Sequence, residues 1–276
     1  MRTRRDVRAT AFGAGSEFMY NSGQRGDRVK VTVVVPTYNE AANLAAFAAE
    51  LLAQPTRGLR LLVVDDESPD GTGLLADDLA AASKGRIDVL HRKGPRGLGL
   101  AYRDGFRRAL DHGADVIVQM DADFSHAPSD VPRLVEKLAE CDVAVGSRYV
   151  SGGRIDDGWG LGRFALSRSA NAYARTLLGL RTRDATAGFK AWRRSALESV
   201  GLDRLVSNGY LLMVEMAYLS ERLGLSICEV PIYFADRQAG ESKMSARVKL
   251  EAAIGLFRVW CHHRRIPRRG RGTTEG

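Results

Sequence analysis

Two aspartates one residue apart, Asp121-Ala122-Asp123, follow directly on the apolar run Val116–Met120. Carboxylates in that spacing can hold a hard divalent cation that draws its other ligands from diphosphate oxygens and water. The competing reading is that they cap the next helix, a task Ser125 or Ser129 can also fill. A second acidic cluster, Asp65-Asp66-Glu67-Ser68-Pro69-Asp70-Gly71-Thr72, closes another apolar run. A carboxylate there can accept hydrogen bonds from a base edge or ribose hydroxyls. Equally, the segment is a strand-to-helix turn with Ser68 as cap and Pro69 at the first helical position. Two basic stretches with glycines complete the set, His91–Gly99 and Arg237–Lys243. Arg237 and Lys243 flank a glycine-containing turn and can reach diphosphate oxygens, the Arg bidentately and the Lys as a point charge; a solvated basic loop is the alternative. The stretch at 91–99 has neither the dinucleotide-binding nor the P-loop glycine spacing. The five histidines show no metal-ligand spacing, and no G-x-S-x-G nucleophile elbow is present.

The elements that must position these groups follow from hydrophobic patterning. Val31–Val35 is a β-branched run stopped by Pro36. Leu59–Val64, Ile87–Leu90, Val116–Met120 and Val143–Val145 are further strand candidates. They alternate with helical spacing over Glu40–Leu52, Gly71–Ala82, Leu98–Leu110 and Val131–Leu138. Alternating strands and helices imply an α/β fold with a mostly parallel sheet. In such sheets ligands bind beyond the C-terminal strand ends. Thr37-Tyr38-Asn39-Glu40, Asp65-Asp66 and Asp121-Ala122-Asp123 all fall there. Beyond Tyr149 the pattern loosens. Residues 151–165 read as a mobile loop, Leu166–Leu178 and Leu211–Leu223 as helices, Ile227–Phe234 as one late strand, and 245–260 as an amphipathic helix.

The formal net charge of +8 sits at the ends of the 276-residue chain. Residues 1–30 carry seven Lys/Arg against three Asp/Glu, and residues 258–276 six Arg against one Glu, which leaves the middle near neutral. That argues against a nucleic-acid-binding domain, whose basic charge covers a folded face. It suits contact with an anionic surface, or simply solubility. Residues 1–28 read as a disordered basic tail. Cys141, Cys228 and Cys261 form no CxxC, which disfavours a disulfide framework or zinc site and makes a reducing cytosol the expectation. No run reaches the ~18 apolar residues of a membrane span. Ala246, Leu250, Ala253, Ile254 and Phe257 fall on one helical face ahead of Trp260 and an Arg-rich tail, a pattern that can lie in an anionic interface or pack on the domain.

Taken in order over residues 31–243, the motifs Val-Pro-Thr-Tyr-Asn-Glu (35–40), Val-Asp-Asp-Glu-Ser-Pro-Asp-Gly-Thr (64–72), Gly-Leu-Gly-Leu-Ala-Tyr (97–102), Met-Asp-Ala-Asp-Phe-Ser-His (120–126), Gly-Ser-Arg-Tyr (146–149), Thr-Ala-Gly-Phe-Lys (186–190), Gly209-Tyr210 and Asp236-Arg237 through Gly240-Glu241-Ser242-Lys243 resemble the family-2 glycosyltransferases of GT-A fold, and more narrowly the dolichol- and polyprenol-phosphate mannose synthases. The resemblance implies a GT-A catalytic domain over 29–243, with a helix and basic tail over 244–276. It implies that Pro36, Tyr38, Glu40, Val64 and Asp66 hold a guanine nucleoside. Asp121, Ala122 and Asp123 would bind the sugar nucleotide, and Asp121, Asp123 and Ser125 an Mg2+ or Mn2+ ion. Arg237 and Lys243 would clamp the diphosphate, and Arg148 would meet the acceptor phosphate. Asp123, Arg148, Arg237 and Lys243 are thus the expected catalytic set. The implied reaction is inverting transfer of mannose from GDP-mannose to a polyprenyl phosphate. It would take place at the cytoplasmic face of a membrane, with the protein bound peripherally or docked on an integral-membrane partner. Three departures stand out: Glu67 where Gly is usual, Ser125 where some relatives carry Gln, and Ala187 where Ser is common. The Gln-x-x-Arg-Trp motif of processive polysaccharide synthases is absent.

Overall fold

A computed structural model describes residues 29–236 and 246–267, with the side chains of 246–253 left out. Its centre is a seven-stranded sheet. Strands β1 (Val31–Thr37), β2 (Leu59–Asp65), β3 (Ile87–His91) and β4 (Val116–Gln119) come first in the chain. They are joined by helices α1 (Ala41–Leu52), α2 (Thr72–Ala82) and α3 (Leu98–Asp111). Helix α4 (Val131–Lys137) leads to β5 (Val143–Ser147), the short β6 (Arg154–Ile155) and the long α5 (Leu161–Leu178). The remainder is β7 (Lys190–Arg193), α6 (Arg194–Val200), α7 (Leu211–Arg222), β8 (Ile227–Pro231), β9 (Tyr233–Phe234) and α8 (Ala246–His263).

The sheet order is β3-β2-β1-β4-β7-β5-β8. The pairings are parallel except those of β7, which runs antiparallel between β4 and β5. β1 is buried over Val31–Val35 because helices cover both sheet faces, so its sequence is continuously apolar rather than alternating. Phe47, Leu44 and Leu51 of α1 pack on one face, and Tyr102 and Phe106 of α3 on the other. The expected strands and helices up to residue 147 are present with ends shifted by one or two residues, and the sheet is the mixed, mostly parallel one expected.

The differences lie beyond Tyr149. The loop expected over 151–165 contains β6, which pairs with β9, and α5 begins at Leu161 rather than Leu166. Backbone bonds from Arg154 to Ile232 and from Asp156 to Phe234 hold that segment down. The single late strand over 227–234 is divided. β8 ends at Pro231, which has no N–H to give, and Ile232 turns inward before β9 pairs with β6. The four-residue β7 carries no apolar run that would mark a strand, being short with basic residues at both ends. The 244–276 segment is packed into the fold over its described part. Leu256 and Val259 of α8 are buried against α5 and α7. No helix among the described residues is long and apolar enough to cross a membrane.

Candidate active site

The cleft forms where β1, β2 and β4 end at the C-terminal edge. The chain leaves β1 through Tyr38 and Asn39, the latter with φ of 60°, and enters α1. No side chain of α1 itself caps that helix start. Its orphan N–H groups are taken by the acidic turn after β2. Asn39 N donates to Ser68 Oγ at 3.1 Å, Glu40 N to Thr72 Oγ1 at 2.9 Å and Ala41 N to Asp70 Oδ2 at 3.1 Å. Burial works against the charge on Asp70, but bonds from Thr72 and the Ala41 amide hold its carboxyl below the ordinary carboxylate range. Ser68 is therefore not the cap of α2, which starts at Thr72 after Gly71. The turn fastens the β2 end to the β1 end. Glu67, where glycine is usual, sits at φ of 53°, the left-handed region that glycine enters without cost.

Asp66 is 7% exposed, and both its oxygens are engaged. Oδ1 takes a bond from Arg92 Nη1, and Oδ2 one from Gly97 N at 2.8 Å. Arg92, itself buried, also binds Asp104 at 2.8 Å and the Pro95 carbonyl at 3.2 Å. The 91–99 stretch is thus pinned to the strand end. From it Arg96 reaches over the rim. Its guanidinium lies 4.8 Å from the Tyr38 ring centroid and donates to Tyr38 Oη at 2.9 Å and to the Glu67 carbonyl at 3.1 Å.

Asp121, Ala122 and Asp123 form the floor, just past β4. Tyr102 of α3 donates its hydroxyl to Asp121 Oδ1 at 2.8 Å. Burial, then the charges of Asp121 and Asp123, push the Tyr102 hydroxyl well above its ordinary value, so it remains a donor. Asp123 Oδ1 accepts from Ser125 N at 3.1 Å across the positive-φ residue Phe124. That is a local turn and not the cap of α4. Ser125 Oγ is buried and makes no hydrogen bond to protein. Gly188 lies beside the floor, where a Cβ would stand 3.5 Å from Asp121 Oδ2. No group of three His, Cys, Asp or Glu is gathered for a metal among the described residues. Two carboxylates at the floor of an open cleft suit an ion that takes its remaining ligands from a bound diphosphate and water rather than a caged structural ion.

Of the residues expected in the site, Pro36, Tyr38, Glu40, Asp66, Asp121, Ala122 and Asp123 line this one cleft of ≈ 350 Å³. Val64 and Ser125 do not: the Val64 side chain is fully buried beneath α3, and Ser125 is buried behind the Asp123 turn. Arg237 and Lys243 lie outside the described residues. Arg148, the residue expected to meet the acceptor phosphate, is ion-paired within the protein. Its Nε and Nη2 meet Asp184 at 2.8 and 2.7 Å, Nη2 also meets Thr186 Oγ1 at 2.8 Å, and its backbone N meets Asp184 Oδ2 at 3.0 Å. A carboxylate with no exposed side-chain surface already balances that charge. Arg148 ties the end of β5 to Asp184 and Thr186. It fixes the segment leading to Gly188, which Asn171, Glu221 and Glu229 also hold through backbone bonds at Arg181–Ala185.

The far wall was not legible from residue types. There Gly97 and Gly99 meet the backbone at Asn208 and Gly209. A Cβ on Gly99 would lie 2.6 Å from Asn208 C, and Gly99 N donates to Asn208 O at 2.9 Å. This close approach brings Tyr210 into the cleft lining. The Gly-Leu-Gly spacing was a signal for it, but Asn208 as the partner was not.

Residues 32–201 match the model of the family described as Glycosyl transferase family 2. The polyprenol monophosphomannose synthase of Mycolicibacterium smegmatis is 44% identical over 231 residues, which cover 83% of this chain and 85% of that protein. The undecaprenyl-phosphate mannosyltransferase of Micrococcus luteus is also 44% identical over 231 residues, covering 83% of this chain and 93% of that protein. Among solved structures, glucosyl-3-phosphoglycerate synthase from Mycobacterium tuberculosis, in complex with Mn2+, uridine-diphosphate-glucose and phosphoglyceric acid, superposes with a TM-score of 0.59 at 19% identity, over 87% of this chain and 86% of that one. That likeness establishes the GT-A fold.

Proposed function

Since the chain belongs to glycosyl transferase family 2, we propose that its cleft transfers mannose from GDP-mannose to a polyprenyl phosphate, with inversion at the anomeric carbon. The observation that carries the reading is the D-x-D floor facing a rim of Tyr38 and Arg96 in one cleft. The 44% identical relatives named for mannosyl transfer to polyprenol and undecaprenyl phosphate support the acceptor class. The fold does not choose the donor, since the M. tuberculosis neighbour holds UDP-glucose.

In this reading the nucleoside lies along Pro36, Tyr38 and Glu40, with Asp66 fixing the wall around it. Asp121 and Asp123 would hold a divalent cation, Mg2+ or Mn2+, with Ser125 as the further expected ligand. When bound, that cation neutralises charge on the diphosphate. An oxygen of the acceptor phosphate attacks the anomeric carbon as the bond to the diphosphate oxygen breaks, and GDP leaves with the electron pair. The acceptor oxygen is ionised near neutral pH, so the residues need not remove a proton from it. Their task is to receive developing negative charge, which preorganised donors do without reorganising. Tyr102 holds Asp121 in place through its hydroxyl. Arg237 and Lys243 clamp the departing diphosphate. The protein works peripherally at the cytoplasmic face of a membrane, where the lipid acceptor resides, either directly or on an integral-membrane partner. Ile254 and Phe257, exposed on α8, offer apolar contact.

The test is transfer of labelled mannose from GDP-mannose to a polyprenyl phosphate, with UDP-glucose as a competing donor. Chelator and Asp121→Asn should each lower turnover by roughly two to three orders of magnitude, the scale of losing one preorganised charge-stabilising contact. Full activity of Asp121→Asn, or transfer of glucose in preference to mannose, would overturn the proposal.

A further inference from the structure

The wall of the cleft opposite the nucleotide side lies beyond residue 201, where the family match ends. Its anchoring can be followed outward from the cleft. Tyr210 lines the cleft at the start of α7. Immediately before it, Asn208 O receives the Gly99 amide, and the backbones approach so closely that neither Gly97 nor Gly99 could carry a Cβ without a shift. The segment is held from behind by one carboxylate. Glu215 of α7, with no exposed surface, accepts Val206 N and Ser207 N at 2.9 Å each. Its third partner is His263 Nε2 at 2.6 Å, from the last turn of α8 and 1% exposed.

A fully buried carboxylate needs its lone pairs filled. Burial works against the charge on Glu215, yet the bonds from His263, Val206 and Ser207 hold its carboxyl below the ordinary range, so it accepts only and His263 carries the proton on Nε2. The helix that delivers the imidazole is itself fastened. Leu256 and Val259 are buried, and a Cβ on Gly255 would stand 2.6 Å from Leu211 Cδ2. Arg222 of α7 binds the carbonyls of Arg264 and Ile266.

We infer that His263 is a positioning residue of the active site: through Glu215 it sets the Val206–Tyr210 wall against Gly99, so that α8 determines how tightly the cleft holds the sugar nucleotide. The inference rests on the proposed use of the cleft for a nucleotide sugar. His263 touches no substrate, and its effect is transmitted by the two backbone N–H bonds that Glu215 receives. An imidazole serving stability alone would change the melting temperature and the folded fraction. A positioning residue also changes donor affinity and leaves turnover of bound donor nearly intact.

The experiment uses the full chain. GDP and UDP binding is measured by calorimetry, and donor KM and kcat per folded molecule are measured for wild type, His263→Ala and His263→Gln. Amide exchange at Val206, Ser207 and Gly99 is followed in each. His263→Ala should raise the nucleotide Kd and donor KM about tenfold, the effect of losing one charge-assisted hydrogen bond. Its kcat should stay within about threefold of wild type, and exchange at the three amides should quicken. His263→Gln keeps an N–H donor and should restore most of the affinity. In wild type, the His263 imidazole nitrogen signals should shift on saturation with whichever nucleoside diphosphate binds, a readout that holds even where a variant fails to fold. An unchanged Kd in folded His263→Ala, or imidazole signals indifferent to nucleotide, overturns this inference alone. A wild-type protein that binds neither GDP nor UDP overturns the reading of the cleft along with it.

Discussion

Asp184→Asn tests whether Arg148 is held in a buried ion pair or is a solvent-facing cation. Asp184 has no side-chain exposure and Arg148 has 10%. The carboxylate takes two guanidinium bonds, the Arg148 amide and the Thr186 hydroxyl. Neutralising it leaves a buried guanidinium without its counter-charge, which costs about 3–5 kcal/mol. An exposed pair would cost about 0–1 kcal/mol, so the two readings separate cleanly. In urea, with a slope on the order of 3 kcal/mol/M, the midpoint should fall by roughly 1–1.7 M. Arg148→Met added to Asp184→Asn should recover part of the loss by removing the stranded charge. The acid limb gives a second check. Burial opposes the Asp184 charge, but Arg148 outweighs it and holds the carboxyl below its unfolded value near 3.8. The folded group therefore binds its proton later than the unfolded one. The stability it confers is complete above that unfolded value and is lost as pH falls through the lower folded value. Wild type should show this loss and Asp184→Asn should not. A cost below about 1 kcal/mol at neutral pH with an unchanged acid limb would refute the buried ion pair.

Three further outcomes are expected. Gly99→Ala forces a Cβ against the Asn208 backbone; it should cost about 1–3 kcal/mol in thermal or urea unfolding and raise donor KM, and a variant neutral in both would contradict the tight wall. Lys190 is buried, which pushes its amine down to about 7 despite the pull of Asp184 and Glu229. Between that value and the unfolded 10.5, the unfolded chain holds a proton that the folded one has shed, so this group's contribution to stability rises with pH. The advantage of Lys190→Met over wild type should accordingly shrink by up to ~1.4 kcal/mol per pH unit across that window, against a pH-independent difference if the shift is absent. Ile254→Asp with Phe257→Asp alters exposed positions and should weaken sedimentation with anionic vesicles while leaving the melting temperature within a few degrees; unchanged sedimentation would remove α8 from the membrane contact.

How far the sequence carries depends on the range of the forces involved. The strands before residue 147 are long β-branched runs whose burial on both faces needs no partner to be known, and β1 through β5 stand where hydrophobic pattern puts them. The polar groups at their ends converge because parallel strands share a C-terminal edge, so Tyr38, Asp66 and Asp121 were legible as one site before any coordinate. Non-local pairing was not. β7 is four residues with Lys190 and Arg193 at its ends, and only insertion between β4 and β5 makes it a strand. The Arg148–Asp184 pair spans 36 residues, and nothing in the spacing announces that partner. His263 and Glu215, 48 residues apart, are hidden in the same way. Arg237 and Lys243 stay outside the described residues, and their expected clamp remains a proposal.

The two sides of the cleft are built on different principles, with consequences for what each can tolerate. The nucleotide side hangs from strand ends. Its carboxylates are fixed by the turn that ties β2 to α1 and by Arg92, all within the residues of the family match. Substitutions there disturb ligand contacts directly. The opposite wall has no strand beneath it. It is a loop whose amides are gathered by Glu215 and whose position against α3 depends on two glycines and on a helix delivered from the far end of the chain. A carboxylate that gathers two loop amides and one imidazole fails as a unit, because loss of any partner leaves a buried acceptor short and loosens the others. The Tyr210 side should therefore respond to changes in α8 many residues from any substrate, whereas the D-x-D side should not. That asymmetry ties the helix carrying the exposed Ile254 and Phe257 to the grip on the donor.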